Sequence, residues 1–264
     1  MSGEGAIVVT ALAITAVKGT RLRSVDSVLL GRDGVGGNRR FYVIDGRDRM
    51  LNGKQLGELQ AILASYSEAE RHLALEFPDG SVVDGEVEPG PSVRTRFFSR
   101  TLPARLVPGP WSAALSYYVG QPLRLVEAGD AGAVDRGSRG SASLISRASV
   151  SRLASAAGAD NQPAPDARRF RMLIEVDGVS AHEEDDWVGL RARIGGALVA
   201  WRGHVGRCLV TSREPDTGAI DLPTLDLLGS YRRGAETTEP LPFGIYGEVL
   251  EAGPVAVGDP VLPG

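Results

Sequence analysis

The sequence predicts a mainly β fold of the α+β class, and three observations predict it. Short runs of β-branched and aromatic residues recur at close spacing with turn signals between them. One pair of such runs flanks Pro78-Asp79-Gly80, a turn sequence with a mechanism behind it. Only a few stretches carry the i, i+4, i+7 apolar spacing of a helix. With 42% hydrophobic residues in 264, the chain can bury a substantial core as one large domain or two small ones.

Taken in order, residues 5–17 alternate small, apolar and β-branched types and end in Ala16-Val17-Lys18-Gly19, a strand running into a turn. Residues 25–30 repeat the strand signal. The glycine-rich stretch from Gly31 to Asn38 lacks the spacing of a dinucleotide fingerprint. It also precedes a strand, Phe41-Tyr42-Val43-Ile44, where that fingerprint needs a helix, so it reads as a β-turn. Residues 57–65 read as one short helix. Residues 73–77 and 81–87 form a hairpin around Pro78-Asp79-Gly80, and residues 94–98 are a further strand. The spacing predicts a helix over Trp111 to Val119, with Trp111, Leu115, Tyr118 and Val119 on one face. Strand character returns at 122–126. Residues 127–143 hold almost nothing to bury and read as a mobile loop or a lid that orders on a ligand. Residues 143–153 read as a short strand leading into a helix capped by Ser149. The division expected is an N-terminal β-rich domain at 1–100 and a second domain at 101–264.

Composition excludes several function classes. A formal charge of −4 leaves no general basic field for nucleic acid. No apolar run approaches the roughly 18 residues of a membrane helix, so no membrane partner is expected. Lys18 and Lys54 are the only lysines, and neither has a P-loop or Schiff-base context. Cys208 is the only cysteine, so no intrachain disulfide can form, and a free thiol fits a reducing, cytoplasmic setting.

Cys208 lies in Arg207-Cys208-Leu209-Val210-Thr211, where polar flanks give way to an apolar run that reads as a buried strand. Alone, such a cysteine reads as a core residue. Its neighbours stand in a definite order: Arg169-Phe170-Arg171, Glu183-Glu184-Asp185-Asp186-Trp187, Glu214-Pro215-Asp216-Thr217-Gly218, Ser230-Tyr231-Arg232, Phe243-Gly244 and Gly258-Asp259-Pro260. Read cold, Glu183 to Asp185 is a solvated loop with Trp187 as its anchor, and Glu214 to Gly218 is a turn.

This ordered series resembles the MOSC domain, named for the C-terminal domain of molybdenum cofactor sulfurases, and especially its mitochondrial amidoxime-reducing component branch. The resemblance implies a C-terminal MOSC β-barrel, with the N-terminal domain packed on it and a molybdenum cofactor (molybdopterin) between the two. It implies Cys208 as the metal ligand and catalytic residue, by its match to the family's Arg-Cys. A pterin brings its own dithiolene sulfurs, so one soft protein thiolate suffices. The same resemblance implies that Lys18, Arg39, Ser146, Ser149 and Arg171 bind the cofactor and its phosphate, which needs fixed cations and donors. Without it, Lys18 and Arg39 read as surface cations and Ser149 as a plain helix cap. Met172-Leu173 stand where the family has Pro-Asn, a departure that removes a polar side chain. The implied activity is reduction of N-hydroxylated or other N-oxygenated small molecules, with electrons from a separate reductase or electron-transfer protein. The alternative is a non-catalytic carrier of molybdenum cofactor or sulfur on Cys208.

Overall fold

The structure, a computed structural model, describes residues 5–129, 136–158 and 164–264. It is mainly β, with α-helices at Trp111–Val119, Arg147–Ala156 and Thr224–Tyr231. The largest sheet has eight strands, in the order Val261–Pro263, Arg191–Ile194, Ala197–Gly206, Pro242–Glu251, Ala142–Ser146, Ile174–Asp177, Val8–Ile14 and Arg23–Val25. It curls back on itself: Val8 bridges Pro260, Val9 N–H donates to the Asp259 carbonyl at 2.9 Å, and Val261 N–H donates to the Ile7 carbonyl at 2.8 Å. The result is barrel-like, because pairing the first strand with the last removes most of the open edge.

Alternation decides what fills this barrel. In Ser27–Gly31 and Arg191–Ile194 every second side chain is buried, so Val28, Leu30, Ala192 and Ile194 turn inward while Leu29 faces out. They join Val9, Leu12, Leu144, Val176, Val199, Trp201 and Ile245 in one apolar cluster. A second sheet runs Ser92–Phe97, Arg100–Leu106, Arg124–Ala128, Phe41–Ile44, Met50–Leu51. Leu63–Ser67, His72–Glu76 and Val82–Glu86 make a third. The helix Trp111–Val119 covers these with Trp111 and Leu115, anchors Trp111 Nε1–H on the Leu73 carbonyl at 3.2 Å, and ends on left-handed Gly120.

The two halves are stitched where the chain leaves the barrel. Lys18 N–H donates to the Phe41 carbonyl at 2.8 Å and Phe41 N–H to the Ala16 carbonyl at 3.0 Å. The boundary expected at residue 100 falls inside a hairpin, since Phe97 pairs with Arg100 and the two strands stay in register from Ser92 to Arg105. The strand Arg100–Leu106, which was not expected, contains Pro103, a residue that cannot donate to the ladder. Pro103 is tolerated because only Ala104 to Leu106 pair on the other side.

Further differences have local causes. Residues 57–65 split into a 3-10 turn at Gly57–Ala61 and the strand Leu63–Ser67. The run after Cys208 is a 3-10 turn, Leu209–Ser212, with Leu209 exposed rather than a buried strand. The helix at 147 is capped by Ser146, whose hydroxyl accepts from Ser149 N–H, and Ser149 lies inside it. Glu183–Trp187 is a 3-10 turn that buries Glu184 completely, so it is not a solvated loop. Of the loop expected at 127–143, residues 130–135 lie outside the described residues. Its flanks are ordered, with Gly137–Gly140 a 3-10 turn and a barrel strand beginning at Ala142. No helix among the described residues is long and apolar enough to cross a membrane.

Candidate functional site

Four segments far apart in sequence line one cleft of about 560 Å³, and Lys18, Arg39, Arg171 and Cys208 each lie on one of them. The volume is within the range of small-molecule sites, about 300–1,000 Å³. Lys18 sits in the loop leaving the strand Val8–Ile14, which is tied by the Thr15 and Thr20 hydroxyls at 2.6 Å. Its ammonium lies 5.6 Å from the centre of the Phe97 ring.

Arg39 and Arg171 both adopt left-handed backbone, at φ 52° and 57°, an uncommon conformation for a non-glycine residue. Their side chains join the segments around the cleft. Arg39 Nη2 donates to the Arg171 carbonyl at 2.8 Å, and Arg171 Nη2 donates to the Thr20 carbonyl at 2.7 Å. Arg171 closes the 3-10 turn Ala167–Phe170 as its C-cap.

Cys208 follows the barrel strand Ala197–Gly206 and opens the turn Leu209–Ser212. Its carbonyl accepts from Thr211 N–H at 3.0 Å and Thr211 Oγ1 at 2.9 Å, so the turn is fixed and the half-buried thiol stands at the cleft wall. Behind the turn, Arg169 forms a fork on Asp221 with both distances 3.0 Å, and also reaches the Thr211 carbonyl at 3.3 Å.

Arg207 shapes the wall beside the thiol. Its Nη1 donates to the Phe170 carbonyl at 2.7 Å and its Nε to the Phe243 carbonyl at 2.8 Å. Its Nη2 also donates to Phe243 and lies 3.1 Å from the Met172 sulfur. Burial lowers its pKa to about 9, with Cys208 acting the other way, so it stays cationic at neutral pH. Gly244 beside it has φ 80°, and a Cβ there would stand 2.7 Å from the Leu144 carbonyl, so no side chain fits. Met172, where the family has proline, thus gives Arg207 a sulfur contact.

Ser146 and Ser149 are not brought to this cleft, which corrects the expectation that they share it with Lys18 and Arg171. Both are fully buried. Ser146 N–H reaches Glu184 Oε1 at 3.1 Å, Ser149 Oγ reaches the same oxygen at 2.7 Å, and Ser146 Oγ lies 2.9 Å from Oε2. Glu184 thus occupies the Ser146 N–H and both hydroxyls at this helix start, donors that an anion bound there would need.

The sequence reading missed Arg207 and Arg169 as parts of the wall, although both stand beside residues it singled out. It also missed Arg136, which stacks on Tyr246 at 4.3 Å and lies 3.5 Å from Glu239, all three lining the cleft. Arg136 and Glu239 lie outside any helix or strand and carry no motif. No group of three or more His, Cys, Asp or Glu able to hold a metal occurs among the described residues.

Residues 132–262 match the model of the MOSC domain. Over 99 residues the chain is 43% identical to "Mitochondrial amidoxime reducing component 2" of Homo sapiens, a match covering 35% of this chain and 29% of that protein. Over 97 residues it is 38% identical to "Molybdenum cofactor sulfurase" of Oryza sativa subsp. japonica, covering 34% and 12%. The matched region thus spans less than a third of either relative. Among solved structures, the YuaD protein from Bacillus subtilis aligns over 98% of this chain and 96% of its own, with a TM-score of 0.48 and 14% identity.

Proposed function

Because residues 132–262 are a MOSC domain, homologous to amidoxime reducing component and molybdenum cofactor sulfurase, we propose that the cleft holds a molybdenum cofactor and reduces N-oxygenated small molecules. One observation carries the reading. The single thiol and three cations, from segments around residues 18, 39, 171 and 208, line the same cavity. Cys208 is the metal ligand in this proposal, as a thiolate, the form in which cysteine binds soft metals. Lys18, Arg39 and Arg171 hold the cofactor's phosphate end, which only fixed positive charges and donors stabilise away from water. When bound, the cofactor supplies two-electron oxygen-atom abstraction from the substrate nitrogen. Arg207 keeps a positive charge beside the thiol, and it is held by the carbonyls of Phe170 and Phe243, whose rings lie tilted with centres 4.6 Å apart. Electrons come from a separate reductase.

Molybdenum content by mass spectrometry of the wild type beside Cys208→Ala tests the binding. The expected result is metal in the first and loss of most of it, ~10-fold or more, in the second. Turnover of an amidoxime with a reducing dye tests the reaction. Metal-loaded protein that reduces no N-oxygenated compound, yet passes cofactor to an apo-enzyme, would turn the assignment to a cofactor carrier.

A further inference from the structure

The turn Glu214-Pro215-Asp216-Thr217-Gly218 is a plain reversal by sequence, but its surroundings are not plain. Among the described residues, Asp216 in this turn binds at once to the segment that carries Lys18 and to the segment that carries Arg171. Asp216 accepts a fork from Arg168, Nη1 to Oδ1 at 2.9 Å and Nη2 to Oδ2 at 2.8 Å. Arg21 Nε lies 3.4 Å from Asp216 Oδ1, and its Nη2 donates to the Asp216 carbonyl at 3.0 Å and to the Ala61 carbonyl at 3.1 Å.

The chain positions explain why this matters. Arg21 closes the short loop that begins at Lys18, and Arg168 opens the turn that ends at Arg171. Asp216 follows the Cys208 turn in the chain. One carboxylate therefore ties the outer ends of three segments whose inner ends line the cavity. The turn is itself rigid: Glu214 Oε2 accepts from Asp216 N–H at 2.9 Å and Thr217 N–H at 2.6 Å, and Arg213 Nη1 donates to the Gly218 carbonyl at 2.6 Å. It is also pressed against the other half of the molecule. A Cβ on Gly218 would stand 1.9 Å from the Gly57 carbonyl oxygen, and buried Gln60 donates to the Glu214 carbonyl at 3.1 Å.

We propose that Asp216 is a positioning residue for the cleft, a strap that fixes the separation between the Cys208 thiol and the Lys18 and Arg171 cations without touching the ligand. A bound group held at both ends, by sulfur at one and by cations at the other, tolerates little change in that separation. The cofactor part of this statement rests on the function proposed above; the geometric part does not.

The test uses the whole 264-residue chain with Asp216→Asn and Arg168→Lys, which keeps charge but loses the fork. Glu248→Gln is the control, since Glu248 makes a similarly exposed ion pair with Arg202 on the barrel exterior. Two readouts are taken beside thermal stability. One is the rate at which molybdenum is lost during repeated gel filtration. The other is the rate of Cys208 alkylation by iodoacetamide in metal-free protein. Asp216→Asn is expected to lose metal ~10-fold faster and to change the alkylation rate about three-fold or more, with Arg168→Lys moving both by less. Glu248→Gln is expected to match the wild type. Wild-type rates for Asp216→Asn in both readouts, whatever its melting temperature, overturn the proposal. So does an equal change in Glu248→Gln. Should the wild type hold no molybdenum, the proposed function fails while alkylation still decides the strap.

Discussion

Replacing Glu184 separates a structural carboxylate from a solvated one, and the hydrogen bonds set the size of the effect. Glu184 is fully buried, with Ser146 N–H and Ser149 Oγ on Oε1 and Ser146 Oγ on Oε2. In Glu184→Ala three donors lose their acceptor. The two hydroxyls, 2.8 Å apart, can turn to one another, which leaves about two groups unsatisfied at about 1–3 kcal/mol each. The carboxylate's own desolvation, which raises its pKa, is relieved at the same time. The net expected loss is about 2–4 kcal/mol, or about 4–16 °C in melting temperature for a chain of this size. In Glu184→Gln an amide oxygen in the Oε1 position keeps two of the three contacts, and the loss is expected to stay under about 1.5 kcal/mol. Urea unfolding at pH 7 reads both, with an unchanged slope showing that the same surface is exposed. A loss below about 1 kcal/mol for Glu184→Ala, or equal losses in the two variants, would refute the reasoning.

Because the Glu184 pKa is raised, its carboxyl favours the fold fully below the unfolded value and less as pH rises through the folded one; the wild type should therefore gain on Glu184→Gln as pH is lowered. His182 acts with the opposite sign. Burial, with Arg232 and Arg152 nearby, lowers its pKa to about 4. The stability it confers is complete above 6.5 and is lost as pH falls towards 4. Melting curves across that range should fall more steeply for the wild type than for His182→Asn, which tolerates the left-handed backbone; parallel curves would contradict this. Gly218→Ala should cost about 2–4 kcal/mol in urea unfolding, from strain at φ 76° plus the clash with the Gly57 carbonyl. Gly120→Ala, also at φ 76° but with nothing within 4 Å, should cost only about 1 kcal/mol. Similar values for the two would show that the contact between Gly218 and Gly57 carries nothing.

Local chemistry in the sequence was enough for some elements. The helix Trp111–Val119 follows from its apolar spacing, and the strand Phe41–Ile44 and the hairpin around Pro78-Asp79-Gly80 follow from their residue types and turn. These signals are local because one helix face or one hairpin is built within a dozen residues. Local chemistry misled where a partner lay far off. Glu183 to Asp185 looks solvated because nothing nearby announces that Ser146 and Ser149 will meet Glu184 about 35 residues away. The Cys208 run looks like a strand because its 3-10 turn depends on the Thr211 bonds and on Arg169 reaching in from another segment.

By itself the sequence determined the β-rich class, the one available thiol, and the residues Lys18, Arg39, Arg171 and Cys208 as members of an ordered resemblance. The tertiary structure alone decided that these four line one cavity, that two serines serve a buried glutamate instead, and that Asp216 binds their supporting segments together. The reason is physical. Periodicity and turn chemistry act over a few residues, whereas a fork such as Arg168 on Asp216 joins residues 48 positions apart that only the tertiary fold makes neighbours.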